Sequence, residues 1–336
     1  MSNDLARPDD LQDLARLSVR VGSDPLLIQA AGGNTSVKDG DVMWIKASGT
    51  LLAEAETKDI FVPVDLPAMR AALDDPDQNA DQTAQFVLGG ATLRPSIETS
   101  LHAVFKQRVV VHVHCVNTLA HAVRRDARTL LDDRLNGFAW CLVPYARPGA
   151  YLAEQVRTRL GPDTNVAILT NHGIIVAGDT VAETEDLLNR VVATLTVEPA
   201  PQQSADMAAL QALVQPGWTV PAADAPVHQL ALDSARLAQA TAGSLYPDHV
   251  IFCGMGVKAV DGPLPDPADA PVFLLVPGKG AIARSDASQG ALALMNCLGD
   301  VLQRVPPDAE LCYLTFDQNA ELLDWDAEKY RQQLNA

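Results

Sequence analysis

The run Val109-Val110-Val111-His112-Val113-His114 constrains the fold of this chain more than any other stretch. Four of its six residues are valine, whose branched side chains favour extended backbone. Such a run belongs to a strand buried within a sheet. Side chains alternate along a strand, so His112 and His114 point the same way, about 6–7 Å apart along the backbone. The pair has two readings: histidines on a solvent-facing edge, or imidazoles converging on one ion with Zn–N bonds of about 2.0–2.1 Å.

Around this strand the periodicities alternate. Leu11, Leu14, Leu17 and Val21 recur at helical spacing over Asp9–Val21. Asp39-Gly40 is a turn signal, and Val42–Lys46 reads as the second strand of a hairpin led in by Gly32-Gly33-Asn34-Thr35-Ser36. Short helices are expected over Leu66–Leu73 and Ala84–Leu88. Another should run from Ser96, its N-cap, to about Phe105. Asn117–Arg125 reads as helix, Ala139–Val143 as strand and Tyr151–Leu160 as helix. Val166–Leu169 and Ile174–Ala177 read as strands, and Thr180-x-x-Glu183 is a capping box that opens a helix to about Leu195. This order predicts an α/β sandwich whose central sheet is largely antiparallel.

Glu198-Pro199-Ala200-Pro201 then shifts the composition, and further Pro and Gly follow up to Pro226, around one short helix. We expect a first domain over 1–198, a linker region over 199–225 and a smaller C-terminal α/β domain over 226–336. In the last, Val250–Cys253, Val272–Val276, Ala281–Arg284 and Leu311–Phe316 read as strands. Ala287–Gln303 and Ala327–Leu334 read as helices.

The 336 residues carry 25 Lys plus Arg against 42 Asp plus Glu, a formal charge of −17. So acidic a surface repels phosphate backbones and anionic lipid, which argues against nucleic-acid and membrane partners. An anionic substrate then needs a local positive site. The five cysteines, Cys115, Cys141, Cys253, Cys297 and Cys312, include no Cys-x-x-Cys pair and suggest buried thiols in a reducing compartment. Met1–Asp13 is acidic and lacks a signal peptide's layout, and no apolar run nears the roughly 20 residues of a membrane span. A cytoplasmic protein is the expectation.

A third histidine, His172, stands at the Asn171-His172-Gly173 tip between two strands, where Gly173 supplies the backbone freedom of a sharp turn. Glu98 falls on the first turn of the helix from Ser96. There it either answers the helix dipole or acts beside an ion as fourth ligand or general base. His102, one turn on, either supports Glu98 or packs, and packing is the simpler account. His121, His228 and His249 have no chelating pattern. The flexible backbone and hydroxyls of Gly32–Ser36 suit an anion, as do Ser48-Gly49-Thr50, Lys46 and the hydroxyl of Ser96. Each also has a plain structural reading as turn, solvent-facing lysine or N-cap.

Taken in order, Gly33-Asn34-Thr35-Ser36, Lys46-Ala47-Ser48-Gly49, Pro95-Ser96-Ile97-Glu98, His112-Val113-His114 and Asn171-His172-Gly173 resemble the class II aldolase/adducin superfamily. Val143–Gly149 resembles its connector before a helix, and the likeness spans about Leu11 to Val197. Tyr246–Val250 and Leu275–Gly278 are similar to the region after the aldolase part of bifunctional rhamnulose-1-phosphate aldolase/dehydrogenase chains.

The resemblance implies a three-layer α/β/α sandwich in which His112, His114 and His172 hold zinc or another divalent ion. It implies that Glu98 is the acid/base beside that ion. It further implies that the substrate anion lies among Asn34, Ser36, Lys46, Ser48, Gly49 and Ser96. The expected activity is retro-aldol cleavage of a small ketose phosphate or sugar-acid phosphate through a metal-stabilised enediolate, in a homotetramer. Decarboxylase, epimerase and dehydratase chemistry on the same scaffold are alternatives, as is a silent adducin-like scaffold. Two departures stand out. Fuculose-type aldolases have Ser-Ser-Glu where this chain has Ser96-Ile97-Glu98. Thr118–Asn136 contains no tyrosine to match their proton donor.

Overall fold

The computed structural model describes residues 5–324. These form two compact units: the first holds residues up to Thr118 and Asp132–Leu195, the second Leu119–Leu131 and the chain from Thr196 onward.

The first unit runs α1 (Leu11–Gly22), β1 (Asn34–Asp39), β2 (Val42–Lys46), β3 (Phe61–Asp65), α2 (Leu66–Asp74), α3 (Thr99–Ala103) and β4 (Val109–Val113). Then come α4 (Val116–Ala122), α5 (Ala127–Arg134), β5 (Trp140–Val143), α6 (Ala150–Arg157), β6 (Val166–Leu169), β7 (Gly173–Gly178) and α7 (Val181–Leu195). Two boundaries between the units fall inside helices, one in α4 and one in α5, so most of both helices belongs to the second unit. The seven strands make one sheet in the order β3-β2-β1-β4-β7-β6-β5, antiparallel except for the β5–β6 pair.

The valine run takes the centre of this sheet. Each residue of β4 is 0% exposed, and the strand pairs with β1 on one side and β7 on the other. Thr35 of β1 bonds Ser18 of α1, while its neighbour Ser36 bonds His102 of α3. Alternation along β1 therefore puts α1 and α3 on opposite faces. With α3 lie α2 and α6, packed through Leu101, Phe105, Val110, Leu152 and Ile175 and through Met43, Val64 and Met69. With α1 lies α7. The α/β sandwich with its largely antiparallel sheet is thus as expected. The Thr180–Glu183 capping box also forms, both reciprocal bonds measuring 3.2 Å.

The helix expected with Ser96 as its N-cap starts two residues late. Ser96 N–H donates to the Lys46 carbonyl and Ala47 bridges to Pro95, so this segment is held extended along the end of β2. Ser96 Oγ accepts instead from the Glu98 amide at 3.2 Å, a local turn, and Glu98 takes the cap position before α3. Glu98 is therefore not on the first helical turn.

The second unit contains α8 (Met207–Leu213), β8 (Trp218–Thr219), α9 (Gln229–Leu232), α10 (Ser234–Thr241), α11 (Pro247–Cys253), β9 (Lys258–Ala259), β10 (Phe273–Val276), β11 (Gly280–Arg284), α12 (Gln289–Leu302) and α13 (Phe316–Asp324). Its sheet has the order β8-β11-β10-β9. Three expectations change here. The stretch 199–225 holds the one short helix expected, as α8, and also a strand, β8, which pairs with β11; Trp218 is buried and its indole donates to the Pro265 carbonyl. Val250–Cys253 belongs to a helix: Pro247 opens it, and all seven residues are buried, so no amphipathic period was there to read. Leu311–Phe316 makes only one bridge, Leu311 to Arg124, and Phe316 begins α13 behind a Thr315–Gln318 capping box. The helix expected over Ala327–Leu334 lies outside the described residues.

The segment Leu119–Leu131 is tied into the second unit by backbone bonds from Cys312 to Val123 and from Arg125 to Glu310. All five cysteines are free thiols. Among the described residues, no helix is long and apolar enough to cross a membrane.

Candidate metal centre

Register places the first pieces of the site. Asn34 of β1 stands opposite His112 of β4, and His112 opposite Ile175 of β7. His112 is fully buried, and its Nδ1 lies 3.0 Å from the Ile174 carbonyl. A carbonyl only accepts, so Nδ1 carries the proton and the Nε2 lone pair is left for a ligand. His114 follows the last residue of the strand, with its Nε2 3.1 Å from His112 Nε2.

His172 comes from the β6–β7 turn. The left-handed residue there is Asn171, at φ 58°, and not Gly173 as expected; asparagine tolerates this region better than other non-glycine residues. Gly173 has a different task. A Cβ on it would sit 2.4 Å from the Val113 carbonyl oxygen and 3.3 Å from His114 Cα, so only glycine lets β7 come this close to the end of β4. Gly33, at φ 62°, likewise passes close to the His112 carbonyl.

The three rings have centroids 4.9–5.1 Å apart. One nitrogen from each lies within 4.8 Å of the other two. Glu98 completes the group: Oε2 is 3.5 Å from His112 Nε2, and Oε1 is 3.4 Å from His172 Nε2. Bonds of about 2.05 Å in a tetrahedron hold ligand atoms about 3.3 Å apart. The spacings of 3.1, 3.4 and 3.5 Å cluster at that value. Two basic nitrogens facing each other at 3.1 Å also need a proton or cation between them. Three imidazoles and a carboxylate, nearly buried, are a donor set for zinc or a similar divalent ion.

The expected anion residues divide into two groups. Asn34 Nδ2 donates to Glu98 Oε2 at 2.6 Å, which puts it directly at the centre. Ser48 N–H bonds the Arg94 carbonyl, which sets Ser48 and Gly49 (φ 75°) beside the Ser96 segment. Ser36 and Lys46 sit further back. Ser36 is fully buried against His102, and Lys46, 2% exposed, donates to the carbonyls of Ala31 and Gly33 at 2.9 and 3.1 Å. Lys46 thus braces the glycine-rich loop from behind instead of facing solvent. His228 is structural, with Nδ1 accepting from the Ala281 amide and Nε2 donating to the Ala222 carbonyl. The Asn34–Glu98 and Ser36–His102 bonds were missed from the sequence, although the β1 alternation and the four-residue Glu98–His102 spacing carried the signal.

The chain is similar to known proteins over its first unit. A curated relative, the uncharacterized oxidoreductase YuxG of Bacillus subtilis (strain 168), is 29% identical over 189 residues, which is 52% of this chain and 27% of the relative. The chain thus spans about a quarter of that relative's length. The N-terminal class II aldolase domain of a conserved protein from Thermoplasma acidophilum superposes with a TM-score of 0.50 at 27% identity, covering 58% of this chain and 97% of that domain. An L-fuculose 1-phosphate aldolase matches with a TM-score of 0.42 at 21% identity, over 57% of this chain and 86% of the aldolase. The profile of the class II aldolase and adducin N-terminal domain matches residues 12–197, more than half of the chain. This chain belongs to the class II aldolase and adducin N-terminal domain family.

Proposed function

We propose that the protein is a zinc-dependent aldehyde-lyase that cleaves a small ketose phosphate or sugar-acid phosphate by a retro-aldol step. The observation that carries this reading is the Glu98 carboxylate, held by Asn34 and set within 3.5 Å of two of three clustered histidines. His112, His114 and His172 would hold the ion, which supplies Lewis-acid stabilisation of the negative charge that develops on substrate oxygens.

The chain's own groups supply the rest. Asn34, the Ser48–Gly49 backbone and Ser96 receive the substrate anion, and Lys46 adds positive charge through the loop it braces. Glu98 takes the proton of the hydroxyl that becomes the aldehyde, and the C–C bond breaks with its electron pair left on the other carbon as an enediolate. Glu98 then delivers the proton that turns the enediolate into the ketone product, and takes that proton up in the reverse direction. A silent scaffold has no use for this intact acid and triad. We place the protein in the cytoplasm as a homotetramer.

The test incubates metal-loaded protein with a panel of ketose phosphates and sugar-acid phosphates and measures aldehyde, carbon dioxide and isomer formation. Aldehyde release that stops on chelation and returns with zinc supports the lyase. Carbon dioxide or isomer formation without aldehyde replaces it by decarboxylase or epimerase chemistry, and no turnover of any member defeats it.

A further inference from the structure

Asn34, Ser36 and Lys38 lie on one face of β1, and all three are buried. Each reaches α3, its cap or the turn after it. Asn34 bonds Glu98 at 2.6 Å, and Ser36 Oγ lies 2.7 Å from His102 Nδ1. Lys38 Nζ donates to the carbonyls of Phe105 and Gln107 at 2.9 and 2.7 Å. The spacing has a simple cause. Two strand residues advance about 6.7 Å, and four helical residues advance about 6.0 Å. Successive β1 side chains on this face therefore meet residues four apart at the start of α3, here its cap Glu98 and His102, whose amide donates to the Glu98 carbonyl.

The middle rung is costly. His102 is 0% exposed, and its buried Nε2 has no hydrogen-bond partner among the described residues. Burial, reinforced by His112, Lys38 and Lys46, pushes its imidazole well below the ordinary histidine range, so the ring is neutral. An apolar pair of similar volume would fill this space without an orphaned nitrogen. Meanwhile α3 is only five residues long, too short to fix its own orientation. Its height and rotation over the sheet depend on side-chain anchors.

We propose that His102 is a positioning residue for Glu98: its bond to Ser36 locks α3 over β1 and keeps the Glu98 carboxylate between Asn34 and the histidines. The kinetic consequence rests on the acid/base role proposed for Glu98; the placement of the carboxylate at the metal centre does not.

The test compares His102→Leu, which removes the bond, with His102→Asn, whose amide falls near Nδ1 and keeps it. Ser36→Ala removes the same bond from the other side and serves if the leucine variant fails to fold. Each full-length variant is titrated with cobalt(II), and the visible spectrum and affinity are read before any activity. His102→Leu and Ser36→Ala should alter the spectrum and lower cobalt affinity about tenfold, the range for groups that orient metal ligands. His102→Asn should return both near wild type. On a substrate found in the panel, the loss should fall on kcat while KM holds within about threefold.

Wild-type spectra and affinities in His102→Leu and Ser36→Ala would overturn the proposal. So would a His102→Asn protein as damaged as the leucine variant, since that pattern marks simple packing. If the panel yields no substrate, the lyase reading fails, and the cobalt spectra still decide the positioning role.

Discussion

Gly173→Ala tests how tightly the metal centre depends on backbone approach. The added Cβ would lie 2.4 Å from the Val113 carbonyl oxygen, where ordinary contact begins at 3.4 Å, so β7 must retreat from β4 by about 1 Å. His172 immediately precedes Gly173 and His114 immediately follows Val113, so the shift separates two of the proposed ligands directly. Ligand sets tolerate displacements of only about 0.5 Å. Overpacking of this kind costs about 1–3 kcal/mol of stability. We expect at least a tenfold loss of zinc affinity by competitive chelation, with far-UV circular dichroism unchanged and a lowered Tm. Gly173→Ala protein with wild-type zinc affinity and wild-type Tm would refute the argument, because the clash would then be absent.

Replacing His112, His114 or His172 singly by Ala should strip most of the metal, read by elemental analysis; full retention in all three variants refutes the assignment. Glu98→Gln keeps the shape but removes the basic oxygen, so kcat should fall about 10²–10⁴-fold, and an unchanged kcat on a verified substrate excludes the role. In the second unit, burial pushes His249 down to about 4, and neither ring nitrogen has a hydrogen-bond partner. The unfolded chain holds its histidine proton up to about pH 6.5, so it binds more protons than the folded chain between about pH 4 and 6.5. Stability therefore rises with pH across that window, by about 3 kcal/mol. His249→Phe, stacked like the native ring on Phe273, should lose that part of the slope in urea denaturation, and identical slopes in the two proteins would contradict the burial argument.

The sequence made the first unit legible where pattern and chemistry coincide. The valine run announced a central strand because a strand buried on both faces needs no alternation. That the three histidines and Glu98 come together was legible because a strand His-x-His, a turn histidine and a carboxylate are residue types that suit a metal. Ser36 and Lys46 lie behind the expected anion site, against His102 and the glycine-rich loop, and a polar residue in a strand gives no sign of whether it faces a site or a neighbouring layer. The late start of α3 follows from the Ser96–Lys46 and Ala47–Pro95 pairings, which are long-range and invisible to local capping rules. In the second unit, α11 read as a strand because a helix buried all round has no period. By contrast, α13 was missed despite its Thr315-x-x-Gln318 box, a signal of the same kind as the one recognised at Thr180.

The excursion Leu119–Leu131 has a consequence for how the chain is made. Its backbone partners, Glu310 and Cys312, leave the ribosome about 190 residues after it, which at 5–20 residues per second is a wait of roughly 10–40 s. The first unit's strands and triad have all been synthesised long before then. During synthesis this segment is therefore a spliced-out tab, exported early from one unit and claimed late by the other. Chaperone capture and premature proteolysis should concentrate on it, and a gene cut between residues 195 and 200 would leave it permanently without its partners.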